Sequence, residues 1–181
     1  EVDGMKYASI AAAIAAIDAK GTVTLLGDAT EDVTIPEGKA ITLDLNGKKL
    51  TNKASHTITN NGTLTVTDSI GGGVVDNITH AKAALSNAVG ATATLKGGAF
   101  MRSQEAGKDG NNSGGNSYYT IENYGSMSFG SGASVENAGH FSSMIRNGGK
   151  NTAESPAEMT INGGTFSGGI NTIKNDDYGN L

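Results

Sequence analysis

Six units along this chain each lead with an apolar residue two positions ahead of an Asn or a Glu, with a Gly soon after. The units lead with Ile35-Pro36-Glu37-Gly38, Ile58-Thr59-Asn60-Asn61-Gly62, Leu85-Ser86-Asn87 before Gly90, Ile121-Glu122-Asn123-Tyr124-Gly125, Ile145-Arg146-Asn147-Gly148 and Ile173-Lys174-Asn175 before Gly179. A second apolar segment follows the turn: Ile41-Thr42-Leu43, Leu64-Thr65-Val66, Thr94-Leu95, Met127-Ser128-Phe129 and Met159-Thr160-Ile161. A third opens on glycine and ends on Leu50, Val75, Phe100, Val135 or Phe166. The leads stand 23 to 36 residues apart, so one structural unit recurs with loops of varying length. Three short strands and three turns fill about 20–30 residues, a solenoid period. A sandwich or barrel has no need of one motif order in every unit. The expected fold is therefore all-β, a right-handed parallel β-helix of about six coils stacked about 4.8 Å apart.

Stacking explains the recurrence, because equivalent residues then lie above one another. The expected inner columns are Ile35, Ile58, Leu85, Ile121, Ile145 and Ile173, then Leu43, Val66, Leu95, Phe129 and Ile161, then Leu50, Val75, Phe100, Val135 and Phe166. Asn60, Asn87, Asn123, Asn147 and Asn175 form a further stack. Asn tolerates a left-handed corner, and its amide donates and accepts along a ladder. The composition agrees: Gly is 27 of 181 residues, with 17 Asn and 19 Thr, which suits many strands and sharp turns.

Ahead of the repeat, Val2-Asp3-Gly4-Met5 carries an Asp-Gly hairpin signal. Ser9 is the expected N-cap of a helix over about residues 10–19, with Ile10, Ile14 and Ile17 on one stripe and Gly21 as its stop. The helix should cap the first coil, whose strand edges would otherwise be open. The whole of residues 1–181 reads as one β-helix domain, with hairpin and cap over 1–21 and coils over 22–181. The unfinished unit at Ile173–Leu181 is expected to belong to a longer surface protein, or to mediate end-to-end self-association through an open coil.

The run from Lys6-Tyr7-Ala8-Ser9-Ile10 through Thr22-Val23-Thr24-Leu25-Leu26-Gly27-Asp28 to Ile35-Pro36-Glu37-Gly38-Lys39-Ala40-Ile41-Thr42-Leu43-Asp44-Leu45-Asn46-Gly47-Lys48 resembles the start of secreted or cell-wall β-helix proteins of Gram-positive bacteria. These are similar in fold to the pectate-lyase-like superfamily and adhesin-like in character. The close resemblance covers residues 2–50. It implies an extracellular, cell-surface module.

Net charge is −5 and only Arg102 and Arg146 are arginines, so no stretch is basic enough for nucleic acid. Cysteine is absent, excluding disulfides and thiolate metal sites. No apolar run is long enough for membrane insertion, and no signal peptide is read, as would also hold for a mature chain. His56, His80 and His140 share no metal spacing and read as turn or surface residues. Asp44-Leu45-Asn46-Gly47 lacks the downstream Glu of a calcium loop. Gly71-Gly72-Gly73 and Gly97-Gly98 open no helix and cradle no phosphate. No cofactor, metal or catalytic set is expected.

The best constellation lies beside the Asn stack. Ser86, Glu122, Arg146 and Lys174 share one outward slot, where Glu122 and Arg146 should form an ion pair. Asp176-Asp177 reads as a solvated turn. Tyr124 and Tyr178 each precede the turn glycine, and exposed tyrosines there can stack on sugars. Tyr118 and Tyr119 end the loop 101–117, which with loop 148–158 either carries specificity or is a spacer. The expected ligand-binding residues are Glu122, Tyr124, Arg146, Lys174 and Tyr178. The expected function is a non-catalytic surface module for adhesion, carbohydrate contact or spacing, with a glycan or a host or cell-surface protein as partner. The alternative is a fragment of a polysaccharide lyase or glycoside hydrolase acting on acidic polysaccharide, which would use Glu122, Arg146, Lys174 and the Asp pair.

Overall fold

The computed structural model describes residues 1–104, 118–137, 144–168 and 171–181. Val2 and Met5 exchange backbone hydrogen bonds of 2.9 and 2.8 Å across Asp3 and Gly4, whose φ values of 47° and 80° make the expected tight turn. The helix α1 (Ile10–Ala16) follows, and the Ser9 hydroxyl accepts from the Ala12 N–H at 3.1 Å. Ile10, Ala13, Ile14 and Ile17 are buried against the first coil.

The helix stops earlier than expected, and Gly21 is not its stop. Ile17 is extended and turns the chain inward, while Gly21 lies in the first strand opposite Ile41 with the Ile17 side chain packed over it. A helix this short is marginal alone and leaves most of its backbone groups unpaired. Two side chains from the coils supply the missing partners. The Glu31 carboxylate accepts from the Ile10 and Ala11 N–H groups at 2.9 and 2.8 Å. Lys39 Nζ donates to the carbonyls of Ile14, Ala15 and Ile17 at 2.8, 3.3 and 2.6 Å.

The coils run in chain order. The first is β1 (Lys20–Thr24), β2 (Ala29–Thr30) and β3 (Val33–Ile35); the second is β4 (Ala40–Asp44), β5 (Lys49–Thr51) and β6 (Ile58–Asn60). The third is β7 (Thr63–Thr67), β8 (Val74–Asp76) and β9 (Leu85–Asn87); the fourth joins two faces in β10 (Thr92–Met101) before β11 (Ile121–Asn123). The fifth is β12 (Ser126–Asn137) and β13 (Ile145–Asn147); the sixth is β14 (Ala157–Ile161), β15 (Thr165–Gly168) and β16 (Ile173–Asn175); β17 (Gly179–Asn180) begins another.

Every strand pair is parallel, which makes the protein an all-β solenoid with one short N-terminal helix. It has three faces. Face A carries β1, β4, β7, the first halves of β10 and β12, and β14 and β17. Face B carries β2, β5, β8, the second halves of β10 and β12, and β15. Face C is the separate six-stranded sheet β3-β6-β9-β11-β13-β16.

The expected columns hold over most of the stack. Leu43, Val66, Leu95, Phe129 and Ile161 are in register on face A. Leu50, Val75, Phe100, Val135 and Phe166 are in register on face B. Phe129 and Phe166 meet edge to face with centroids 5.4 Å apart. Ile161 is not buried as expected: it is 40% exposed, because β17 pairs only with Ala157 and Glu158 and, among the described residues, no strand pairs with Ile161 on that side.

The first coil corrects the expected alignment. Val33, not Ile35, stands beside Ile58, and Ile35 stands beside Asn60. Ile-Pro-Glu-Gly imitates the repeat but is displaced by two residues, since Pro36 opens a turn that closes at Lys39. Ile35 is fully buried and ends the Asn stack with an apolar side chain.

Above it the amides of Asn60, Asn87, Asn123, Asn147 and Asn175 form one chain, each Nδ2 donating to the next Oδ1 at 2.7, 2.8, 2.7 and 2.8 Å. Each of the first four also donates to a face A carbonyl: Thr92, Ser126, Glu158 and Asn180. These Asn residues end strands rather than occupy left-handed corners, so the ladder is the reason for them. The turns they open alternate in length. Gly38 and Gly90 take φ of +79° in the longer turns. Gly62 and Gly125 form the shorter ones, where a Cβ would strike the carbonyls of the longer turn beneath.

Candidate functional site

Face C presents outward, coil by coil, Thr34, Thr59, Ser86, Glu122, Arg146 and Lys174. The expected slot therefore exists, but its ion pairing differs. Arg146 Nε donates to Asp176 Oδ2 at 2.8 Å instead of pairing with Glu122, and Lys174 Nζ lies 3.2 Å from Asp176 Oδ1. Glu122 is half-buried, and its Oε2 accepts from Ser86 Oγ at 3.3 Å. Asp176 is thus no freely solvated turn residue. Its carboxylate holds two cations, while Asp177 is exposed. The order of neighbours explains this: a side chain in the Arg146 slot can lean across the turn as readily as along the column.

Tyr124 is the second correction. It is only 4% exposed, and cations already lie over its ring: Arg146 Cζ at 5.8 Å and Lys150 Nζ at 4.2 Å from the centroid. Arg146 Cζ also stands 5.6 Å from the buried Tyr119 ring. The guanidinium passes over Gly149, where any Cβ would strike it. Burial pushes the Tyr124 hydroxyl well above the ordinary range, with the Glu122 charge adding to it and Arg146 opposing it. Burial works to lower the Arg146 pKa, but Tyr124, Asp176 and Tyr119 outweigh it and the net shift is upward. The hydrogen bond to Asp176 chiefly raises that of Lys174.

Lys174 and Tyr178 are the accessible members. The Lys174 side chain is 42% exposed and Tyr178 is 54% exposed at a left-handed φ of 58°. The turn 148–156 is tied down and is not a loose spacer: Thr152 pairs with Ser155, and Asn151 Nδ2 donates to the Tyr124 and Ser155 carbonyls at 2.7 and 2.8 Å. Of loop 101–117, residues 105–117 lie outside the described residues, as does His140.

Sequence reasoning missed a second buried polar corner, between faces B and C. Asn52, Asn77 and Arg102 each follow one of the register partners Thr51, Asp76 and Met101, and all three are buried. Asn52 and Asn77 satisfy the backbone there: Asn52 Oδ1 accepts from the Ile78 N–H and Asn77 Oδ1 from that of Thr79. Arg102 takes the same place one coil on. Burial lowers its pKa to about 10, while Glu122 and Tyr118 work to raise it. Its ring neighbour is Tyr118, 5.9 Å from Cζ, and Tyr118 meets His80 edge to face at 4.9 Å. The signal was a polar residue just after each face B strand, hidden by the change from Asn to Arg.

His56 Nδ1 accepts from the Ala83 N–H at 2.9 Å, and burial lowers its pKa, aided by Lys82 and Lys150 and opposed by Glu122. Asp44 Oδ1 accepts from the N–H groups of Asn46 and Ser69. Burial alone would raise the Asp44 pKa, but these bonds and the Ser69 hydroxyl bring it below the usual value. Among the described residues no group of three His, Asp or Glu side chains could hold a metal ion, and no helix is long and apolar enough to cross a membrane. Comparisons with protein-family models, with curated proteins and with solved structures find no match.

Proposed function

We propose that the chain is a non-catalytic extracellular surface module whose face C contacts a glycan or a cell-surface protein. The observation that carries this reading is the closed network of Tyr119, Tyr124, Arg146 and Asp176. Its charged and aromatic groups are engaged with one another, so they form a rigid platform instead of a poised acid and base. From that platform Lys174 and Tyr178 project, with Glu122 beside them half-buried. A rigid surface orders little on binding, which favours an extended polymer. Contacts this exposed give micromolar or poorer affinity. A module of the secreted or cell-wall β-helix type of Gram-positive bacteria suits this surface role. Among the described residues no strand pairs with the outer edges of β15 and β16, which suits end-to-end association as well, and sedimentation at rising concentration tests this.

The test is a glycan array followed by titration of any hit. Lys174→Ala and Tyr178→Ala should each weaken binding several-fold, and Arg146→Ala should weaken it by loosening the platform. Binding indifferent to all three discards this face. Release of new reducing or unsaturated ends from acidic polysaccharide, lost in Lys174→Ala, replaces the reading with the lyase or hydrolase one.

A further inference from the structure

Face A carries a row that the charged face does not resemble. In register across six coils stand Thr22, Thr42, Thr65, Thr94, Ser128 and Thr160. All six point outward, exposed or half-exposed, and all six bear a hydroxyl. Two residues earlier on the central strands lie Thr63, Thr92 and Ser126, exposed and in register with one another. Thr is a good strand former, and this alone explains some of them. It does not explain why no charge enters the main row in a chain with 13 basic and 18 acidic residues.

The main row is thus free of charge, while the outward rows beside it carry Lys20 and Glu158 on one side and Asp44 and Lys96 on the other. Hydroxyls repeat about every 4.8 Å along the stack and about 6.7 Å along a strand. Each threonine also offers a methyl group. Within the row Ser128 Oγ donates to Thr94 Oγ1 at 3.3 Å. A folded protein partner would be matched by a varied set of side chains, with charges and anchors. A partner matched by one side-chain type in every coil is itself periodic and neutral. We propose that face A is a second contact surface, and that it takes an extended neutral polysaccharide laid along the stack at about one sugar per coil. The sugar hydroxyls exchange hydrogen bonds with the threonines, and the sugar C–H groups pack on the methyls. No group on the row needs neutralising, so binding is insensitive to salt.

The experiment uses the full chain in pull-down and affinity electrophoresis with cellulose, chitin, mannan and mixed-linkage glucan, and with polygalacturonate as the charged comparison. The Thr65→Lys/Thr94→Lys double variant changes exposed positions, and its thermal melt confirms that it folds. Thr34→Lys on face C is the control. The expected result is retention of at least one neutral polymer at both low and high salt, reduced at least tenfold in the double variant and unchanged in the control. Equal retention by the double variant overturns the proposal. So does retention of polygalacturonate alone, or of no neutral polymer. Shaping of growing ice crystals without polymer retention overturns it in favour of a water lattice as occupant. Loss of binding in Lys174→Ala or Tyr178→Ala reports on face C and is independent of these outcomes.

Discussion

Faces A and C share one stack, one strand register and one buried Asn ladder along their common corner, yet they present opposite surfaces. On face A the central outward residue is a hydroxyl in all six coils. On face C the same kind of position reads Thr34, Thr59, Ser86, Glu122, Arg146 and Lys174. The turn 148–156 accounts for part of the difference. This turn follows the face C strand β13, and aromatic and charged side chains fasten it back. Tyr119, Tyr124, Arg146, Lys150 and Asp176 are such fasteners. Face A keeps its repeat along the central row. A solenoid can thus separate a uniform surface from a diversified one without altering its core.

The largest expected effect comes from breaking what both faces share. Phe129 is buried in the face A column against Phe166, and Phe129→Ala should cost about 3–5 kcal/mol in a denaturant titration. Hydrogen exchange should then quicken on both faces. Quickening on face A alone would show that the coils do not share one core.

Next comes the ladder. Asn123 donates to Asn147 and to the Glu158 carbonyl, and accepts from Asn87 and the Gly125 N–H. Asn123→Ala should cost about 1–3 kcal/mol for each buried partner left unsatisfied. Asn175→Ala, at an exposed position, should cost clearly less. Equal losses would mean that the ladder is decoration on a stack held by its apolar columns.

A pH experiment addresses face C alone. The Tyr124 hydroxyl is raised above its ordinary 10.0, by burial first and by Glu122 second. A raised folded pKa contributes stability that is present below the unfolded pKa. That stability is lost as pH climbs through the unfolded pKa toward the folded one. Stability should therefore fall above about pH 10, and Tyr124→Phe should flatten that part of the slope. An unchanged slope would place the ring in water. The smallest effect belongs to face A, where Thr42→Val should change stability by no more than about 0.5 kcal/mol. A larger loss would give the row a structural role and weaken the case for a contact surface.

Much of this architecture was readable from spacing. The columns through Phe100 and Phe129 and the ladder from Asn60 to Asn175 follow from one repeat, because stacking makes equal positions into neighbours. The first coil was misread because Ile35-Pro36-Glu37-Gly38 carries the repeat's pattern while its real register residue, Val33, stands two places earlier. The site was less legible. A slot shared by Glu122 and Arg146 predicts proximity along the column, but not that Arg146 would turn to Asp176 or that Tyr124 would be covered by Lys150. Those contacts depend on how the turn 148–156 folds back, which no repeat encodes. Arg102 escaped notice because its corner changes residue type from coil to coil.

The most direct test of the shared register uses paired cysteines in this cysteine-free chain. Thr94 and Ser128 are register partners on face A, as are Ser86 and Glu122 on face C. Neighbouring parallel strands bring such Cα pairs to about 4.8 Å, within disulfide reach. Thr94→Cys/Ser128→Cys and Ser86→Cys/Glu122→Cys should both close under mild oxidation, while the offset pair Thr94→Cys/Met127→Cys, with one side chain outward and one inward, should not. Closure on face A with failure on face C, or closure of the offset pair, would contradict a single register running through both faces.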